Sequence, residues 1–138
     1  MTITEIQNAI IEDFSFLESW EDRYEYMIDL GKSLPLIDPQ YKTDEYLIKG
    51  CQSQVWLHAE NKGDIIHFTA DSDAIITKGI VALLVRVYSG HTPEEILAAK
   101  TDFIDQIGLK EHLSPTRANG LVSMLEQMRR YALLQAKK

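Results

Sequence analysis

Apolar residues recur at helical intervals near both ends of the chain and crowd together or alternate in its middle. Ile6, Ile10, Phe14 and Leu17 are spaced for one face of a helix, and Thr4-Glu5-Ile6-Gln7 has the spacing of a capping box at its start. Ser19-Trp20-Glu21-Asp22 repeats the start signal. Trp20, Tyr24, Met27 and Ile28 then form a second stripe, predicted to close near Gly31. From Ser33 to Asp44 the prolines Pro35 and Pro39 predict an extended surface connection.

Three strands are predicted next, over Glu45 to Lys49, Gln54 to Glu60 and Asp64 to Thr69, the last two joined by a hairpin at Asn61-Lys62-Gly63. Ser72 and Asp73 are suitable caps for a helix from Ala74 to Ser89, with Gly90 as its stop. Apolar almost all round, that helix is expected to be the buried central one; its β-branched middle would also suit a strand, but length and caps favour helix. Thr92-Pro93-Glu94-Glu95 and Ser114-Pro115 open two further helices, the last carrying Leu121, Met124, Leu125 and Met128 on one face. The expected architecture is α+β: one domain over 1–138, a small antiparallel three-stranded sheet covered by helices, with helices at both chain ends.

Composition narrows the function. With 138 residues, 45% hydrophobic and 25% charged, the chain is an ordinary globular sequence able to build a core without a disulfide or metal staple. A net charge of −7, with acidic residues concentrated ahead of Gly50, argues against nucleic-acid and anionic-membrane binding. The longest apolar run, Ile80 to Val85, is too short to span a bilayer, and the N-terminus lacks signal-peptide features. A single cysteine suits a reducing compartment, and a cytoplasmic location is expected.

Candidate chemistry is sparse. His58, His67, His91 and His112 show no ligand spacing, so no metal site is expected. Asp71 and Asp73 flank a helix start and suit either a ligand or acid–base pair or, more simply, capping. There is no nucleophile elbow, zinc-protease motif, dinucleotide fingerprint or phosphate loop. That leaves Cys51. A lone cysteine is by default a small buried hydrophobe. This one follows Gly50 and precedes Gln52, Ser53 and Gln54, between predicted strands rather than within one. A loop gives a thiol access, Gly50 widens its backbone freedom, and Lys49 is a neighbouring cation that would favour thiolate. The residues alone define a loop nucleophile of unspecified purpose.

The run Gly50-Cys51-Gln52-Ser53-Gln54-Val55-Trp56 resembles the block around the sulfur-accepting cysteine of the SufE family. Three further blocks are similar to that family in order and spacing. They are Trp20 to Tyr24 with Leu30-Gly31, Asp71 to Gly79, and Leu113 to Arg117 with Gly120-Leu121. The resemblance implies a sulfur relay: Cys51 takes persulfide sulfur from a pyridoxal-phosphate cysteine desulfurase, stimulates that enzyme, and hands the sulfur on to an iron–sulfur cluster assembly scaffold. The pyridoxal phosphate would belong to the partner, and this chain would carry no cofactor. Gly50, Gln52, Ser53, Asp73 and Arg117 would support the loop or the interface. Arg117 lies in a helix first turn, where a cation is disfavoured, so it is either engaged with an anion or thiolate or is a plain surface arginine. A homodimer is compatible with the sequence. Competing readings are a non-catalytic adaptor that activates the desulfurase allosterically, which would tolerate loss of Cys51, and a thiol redox sensor, which needs a resolving cysteine from another molecule.

Overall fold

Two helices lead the chain, and both start where a short polar side chain meets an acidic first turn. In the computed structural model, which describes residues 1–51 and 53–137, α1 spans Ile3–Ser15 and α2 spans Trp20–Lys32. The first cap is Thr2, not Thr4. Thr2 Oγ1 accepts from the Glu5 amide at 3.1 Å while Glu5 Oε1 accepts from the Thr2 amide at 2.9 Å. Starting one half-turn earlier brings Ile3 onto the buried face with Ile10 and Phe14, and leaves Ile6 only partly covered. Ser19 caps α2 as expected. The helix closes near Gly31 as expected, at Lys32; Gly31 itself is still helical, and its missing side chain lets α2 approach Lys78 and Gly79 closely.

The sheet has two strands among the described residues, not three. β1 (Val55–Lys62) pairs antiparallel with β2 (Ile65–Ser72), and the register from Val55↔Ser72 to Lys62↔Ile65 leaves Gly63 and Asp64 as the hairpin turn. Gly63 supplies the left-handed backbone there, with φ 63°. The stretch expected as a first strand is instead a 3-10 turn at Asp44–Tyr46. Tyr46 is drawn into an edge-on contact with Tyr41, which itself stacks on His58 of β1 at 3.6 Å. Only one backbone bridge, Leu47 to Trp56, and one hydrogen bond, Ile48 N–H to the Val55 carbonyl at 2.8 Å, remain before the Lys49-Gly50 turn ends the pairing.

Helix α3 (Ile75–Tyr88) is the central one. Ile80, Val81, Leu83, Leu84 and Val87 are wholly buried, so hydrophobic burial overrides the modest helix propensity of β-branched residues. It packs on β2, α2 and α7. Gly90, with φ 83°, follows its end. Short helices α4 (Pro93–Ala98), α5 (Phe103–Gln106) and α6 (Leu109–His112) lead to α7 (Pro115–Ala136), whose Leu121, Met124 and Met128 join the core. Among the described residues no helix is long and apolar enough to cross a membrane.

Candidate functional site

Cys51 occupies the tip of a six-residue loop closed at its base by the Ile48–Val55 hydrogen bond. Gly50 precedes it with φ 92°, a left-handed conformation that side chains resist, and a Cβ at Gly50 would stand 2.5 Å from Ser123 Oγ of α7. The loop therefore lies directly on α7. The half-buried Cys51 side chain turns inward, its Sγ 3.7 Å from the Gly120 carbonyl. Beside it is a small cavity of about 60 Å³. Thr77 and Ile80 of α3 form one part of the lining, Gly120 and Met124 of α7 another, and Ser53, Thr116 and Arg117 complete it.

Electrostatics at the thiol follow from this placement. Burial pushes the Cys51 pKa above its ordinary value. Lys49, singled out in the sequence as a neighbouring cation, is exposed and faces a separate groove with Glu45, Glu126 and Arg130. Arg117 is the cation that reaches the cavity wall. Its backbone amide donates to the capping Ser114 hydroxyl at 3.2 Å, which sets the residue in the first turn of α7, and its side chain is exposed. The α7 start is in turn braced from α2, where Trp20 stacks on His112 at 3.8 Å and the Tyr24 hydroxyl donates to the His112 carbonyl.

The far side of the loop is tied down by the residues expected to cap α3. Ala74 is the N-cap of that helix and makes no side-chain capping bond. Asp73 Oδ1 instead accepts from the Gln54 amide at 3.0 Å, and Ser72 Oγ donates to the Gln54 carbonyl at 2.8 Å. The Asp73 carboxylate thus serves the cysteine loop, while Ser72 Oγ serves both, since it also accepts from the Ala74 amide at the helix end at 3.3 Å. Asp71 does not pair with Asp73: it accepts from the Ser72 amide at 2.8 Å, from Lys42 at 2.9 Å and from Lys78 at 3.3 Å. Burial works to raise its pKa, but those cations and the Ser72 amide outweigh it and hold the carboxyl below its usual value.

Of the residues named from sequence, Cys51, Ser53 and Arg117 meet at the cavity, Gly50 shapes the turn, and Asp73 holds the loop from outside. Gln52 lies outside the described residues. Sequence reasoning missed Thr77, Gly120, Ser123 and Met124. Gly120 carried a legible signal, since a glycine inside a helix is disfavoured unless something packs against it. The other three look like ordinary helix residues. The histidines do not converge, and among the described residues no group of three or more His, Cys, Asp or Glu is placed to hold a metal.

A two-stranded hairpin backed by helices, with one inward-turned cysteine at a loop tip, defines a thiol-bearing α+β protein. Comparison gives the family. A model described as "SufE: Fe-S metabolism associated domain" matches residues 8–132, and the chain belongs to the SufE family. It is 46% identical over 134 residues to an uncharacterized SufE-like protein of Rhizobium etli, covering 94% of this chain and 90% of that one. It is 40% identical over 126 residues to SufE-like protein 1, chloroplastic/mitochondrial, of Arabidopsis thaliana, covering 90% of this chain and 34% of the plant protein. The solution structure of a hypothetical protein from Thermus thermophilus shares the fold, with a TM-score of 0.80 at 21% identity over 96% of this chain and 97% of that one.

Proposed function

We propose that this protein is a sulfur acceptor whose Cys51 takes sulfur from the persulfide of a pyridoxal-phosphate cysteine desulfurase. Cys51 thiolate attacks the outer sulfur of that persulfide. A new S–S bond forms at Cys51 Sγ, the desulfurase S–S bond breaks, and the desulfurase cysteine leaves as thiolate. Nothing is oxidised or reduced overall. The same displacement, run against Cys51 persulfide by an acceptor nucleophile, passes the sulfur on for iron–sulfur cluster assembly in the cytoplasm. Clearing the desulfurase persulfide is how the chain stimulates its partner.

The observation that carries this reading is the placement of the lone thiol: at a loop tip, preceded by Gly50 in a left-handed conformation and turned inward against a small cavity. Family membership supports the same assignment. This chain holds no cofactor of its own in the mechanism; the pyridoxal phosphate stays on the desulfurase. Intact mass after incubation with desulfurase and cysteine is the test. Wild type should gain one or more sulfur atoms and Cys51→Ser none. A Cys51→Ser variant that stimulates desulfurase turnover as well as wild type would make the protein an allosteric adaptor instead.

A further inference from the structure

Gly120 is buried within α7, in a position where alanine would favour the helix. Its Cα faces the cysteine: a Cβ built there would stand 3.4 Å from Cys51 Sγ and 3.8 Å from both Cα and Cβ of Cys51. The adjoining cavity of about 60 Å³ exceeds the roughly 10–15 Å³ that admits a water. It is far below the roughly 300–1,000 Å³ of pockets for drug-sized ligands. A persulfide extends the side chain by one S–S bond of about 2.05 Å. Space of this size beside Sγ has room for an added sulfur and is too small to enclose a tripeptide thiol.

We propose that Gly120 is the specificity-determining residue of the sulfur pocket: its missing side chain leaves room beside Cys51 Sγ for the outer sulfur of a persulfide, so that the sulfur sits within the cavity rather than facing solvent thiols. The inference rests on the sulfur-acceptor reading and adds its size limit. Met124, also on α7, lines the same cavity, so it offers a compensating change. With Gly120→Ala the new methyl takes space the outer sulfur needs. The outer sulfur is then displaced from the cavity, and the persulfide stays exposed.

The test loads sulfur without a desulfurase. Cys51 is converted to its thionitrobenzoate mixed disulfide in mild denaturant, refolded, and treated with hydrosulfide. Hydrosulfide attacks Sγ, the Sγ–S bond forms, and thionitrobenzoate leaves as thiolate. Decay of the Cys51 persulfide in glutathione is followed by intact mass: glutathione thiolate attacks the outer sulfur, leaves as glutathione persulfide, and returns Cys51 thiolate. Gly120→Ala should shorten the persulfide half-life several-fold without lowering the thermal midpoint, and Gly120→Ala with Met124→Ala should restore it. Unchanged decay in Gly120→Ala overturns the proposal, as does a double variant that decays as fast as Gly120→Ala. Because loading bypasses the desulfurase, a wild-type chain that takes no sulfur from that enzyme would defeat the proposed function while leaving these decay rates interpretable.

Discussion

Asp73 and Gln54 are joined by two reciprocal hydrogen bonds. The Gln54 amide donates to Asp73 Oδ1 at 3.0 Å, and the Asp73 amide donates to the Gln54 carbonyl at 3.2 Å. One end of the cysteine loop is thereby fastened to the approach of α3. Ile48 and Val55 fasten its base, and Gly50 against Ser123 rests it on α7. Only the first of these ties depends on an exposed side chain.

Asp73→Ala should therefore loosen the loop without unfolding the protein. The expected cost is about 1 kcal/mol, the scale of one hydrogen bond. Labelling of Cys51 by a bulky thiol reagent, slow in the native protein, should accelerate several-fold and approach the rate in denaturant. Native labelling already as fast as in denaturant would show that the thiol is exposed at rest.

Burial raises the Cys51 pKa, and this predicts the pH profile of alkylation by a small reagent. Thiolate is the reacting form, so the native rate should climb with a midpoint above the roughly 8.5 of a free cysteine. The denatured chain should show the ordinary midpoint. In the sign of linkage, an acid whose folded pKa is raised loses stability as pH climbs past the unfolded value, because only the unfolded thiol ionises there. Coincident native and denatured midpoints would contradict the burial seen here.

Asp71 supplies the opposite dependence. Its folded pKa is depressed, so its contribution is present above the ordinary carboxylate pKa and is lost as pH falls through the folded value. Asp71→Asn should be less stable than wild type near neutrality. The gap should narrow as the solution is acidified below the ordinary carboxylate range. Urea unfolding of both proteins across that range measures it, and a gap independent of pH would show that the Lys42 and Lys78 pairs contribute nothing.

Gly79 and Gly120 should respond oppositely to alanine in stability. A Cβ at Gly79 would collide with the Met27 backbone, its carbonyl carbon only 2.7 Å away. Gly79→Ala should then push α2 and α3 apart and cost about 1–3 kcal/mol, the range for overpacking. Gly120→Ala meets only the cysteine loop and should hold or raise the unfolding midpoint. Chemical denaturation distinguishes the two.

Sequence alone determined the elements whose causes are local. Apolar spacing and caps located α2, the central helix, α4 and α7, because Ser19, Thr92 and Ser114 act within four residues of themselves. The block around Cys51 singled out the candidate thiol for the same reason: the signal is contiguous. Tertiary structure decided what depends on partners far along the chain. The expected first strand became a 3-10 turn because Tyr46 packs with Tyr41 and His58, contacts that no local propensity encodes. Ser72 and Asp73 read as helix caps, yet their oxygens bind Gln54 some eighteen residues earlier. Gly31 read as a helix stop, and only the crossing of α2 over α3 shows it to be a point of close contact. The cavity beside Cys51 is the extreme case. Cys51, Thr77 and Gly120 come from a loop and two helices, so its size is set by packing alone, and a side chain absent from position 120 fixes the room beside the thiol.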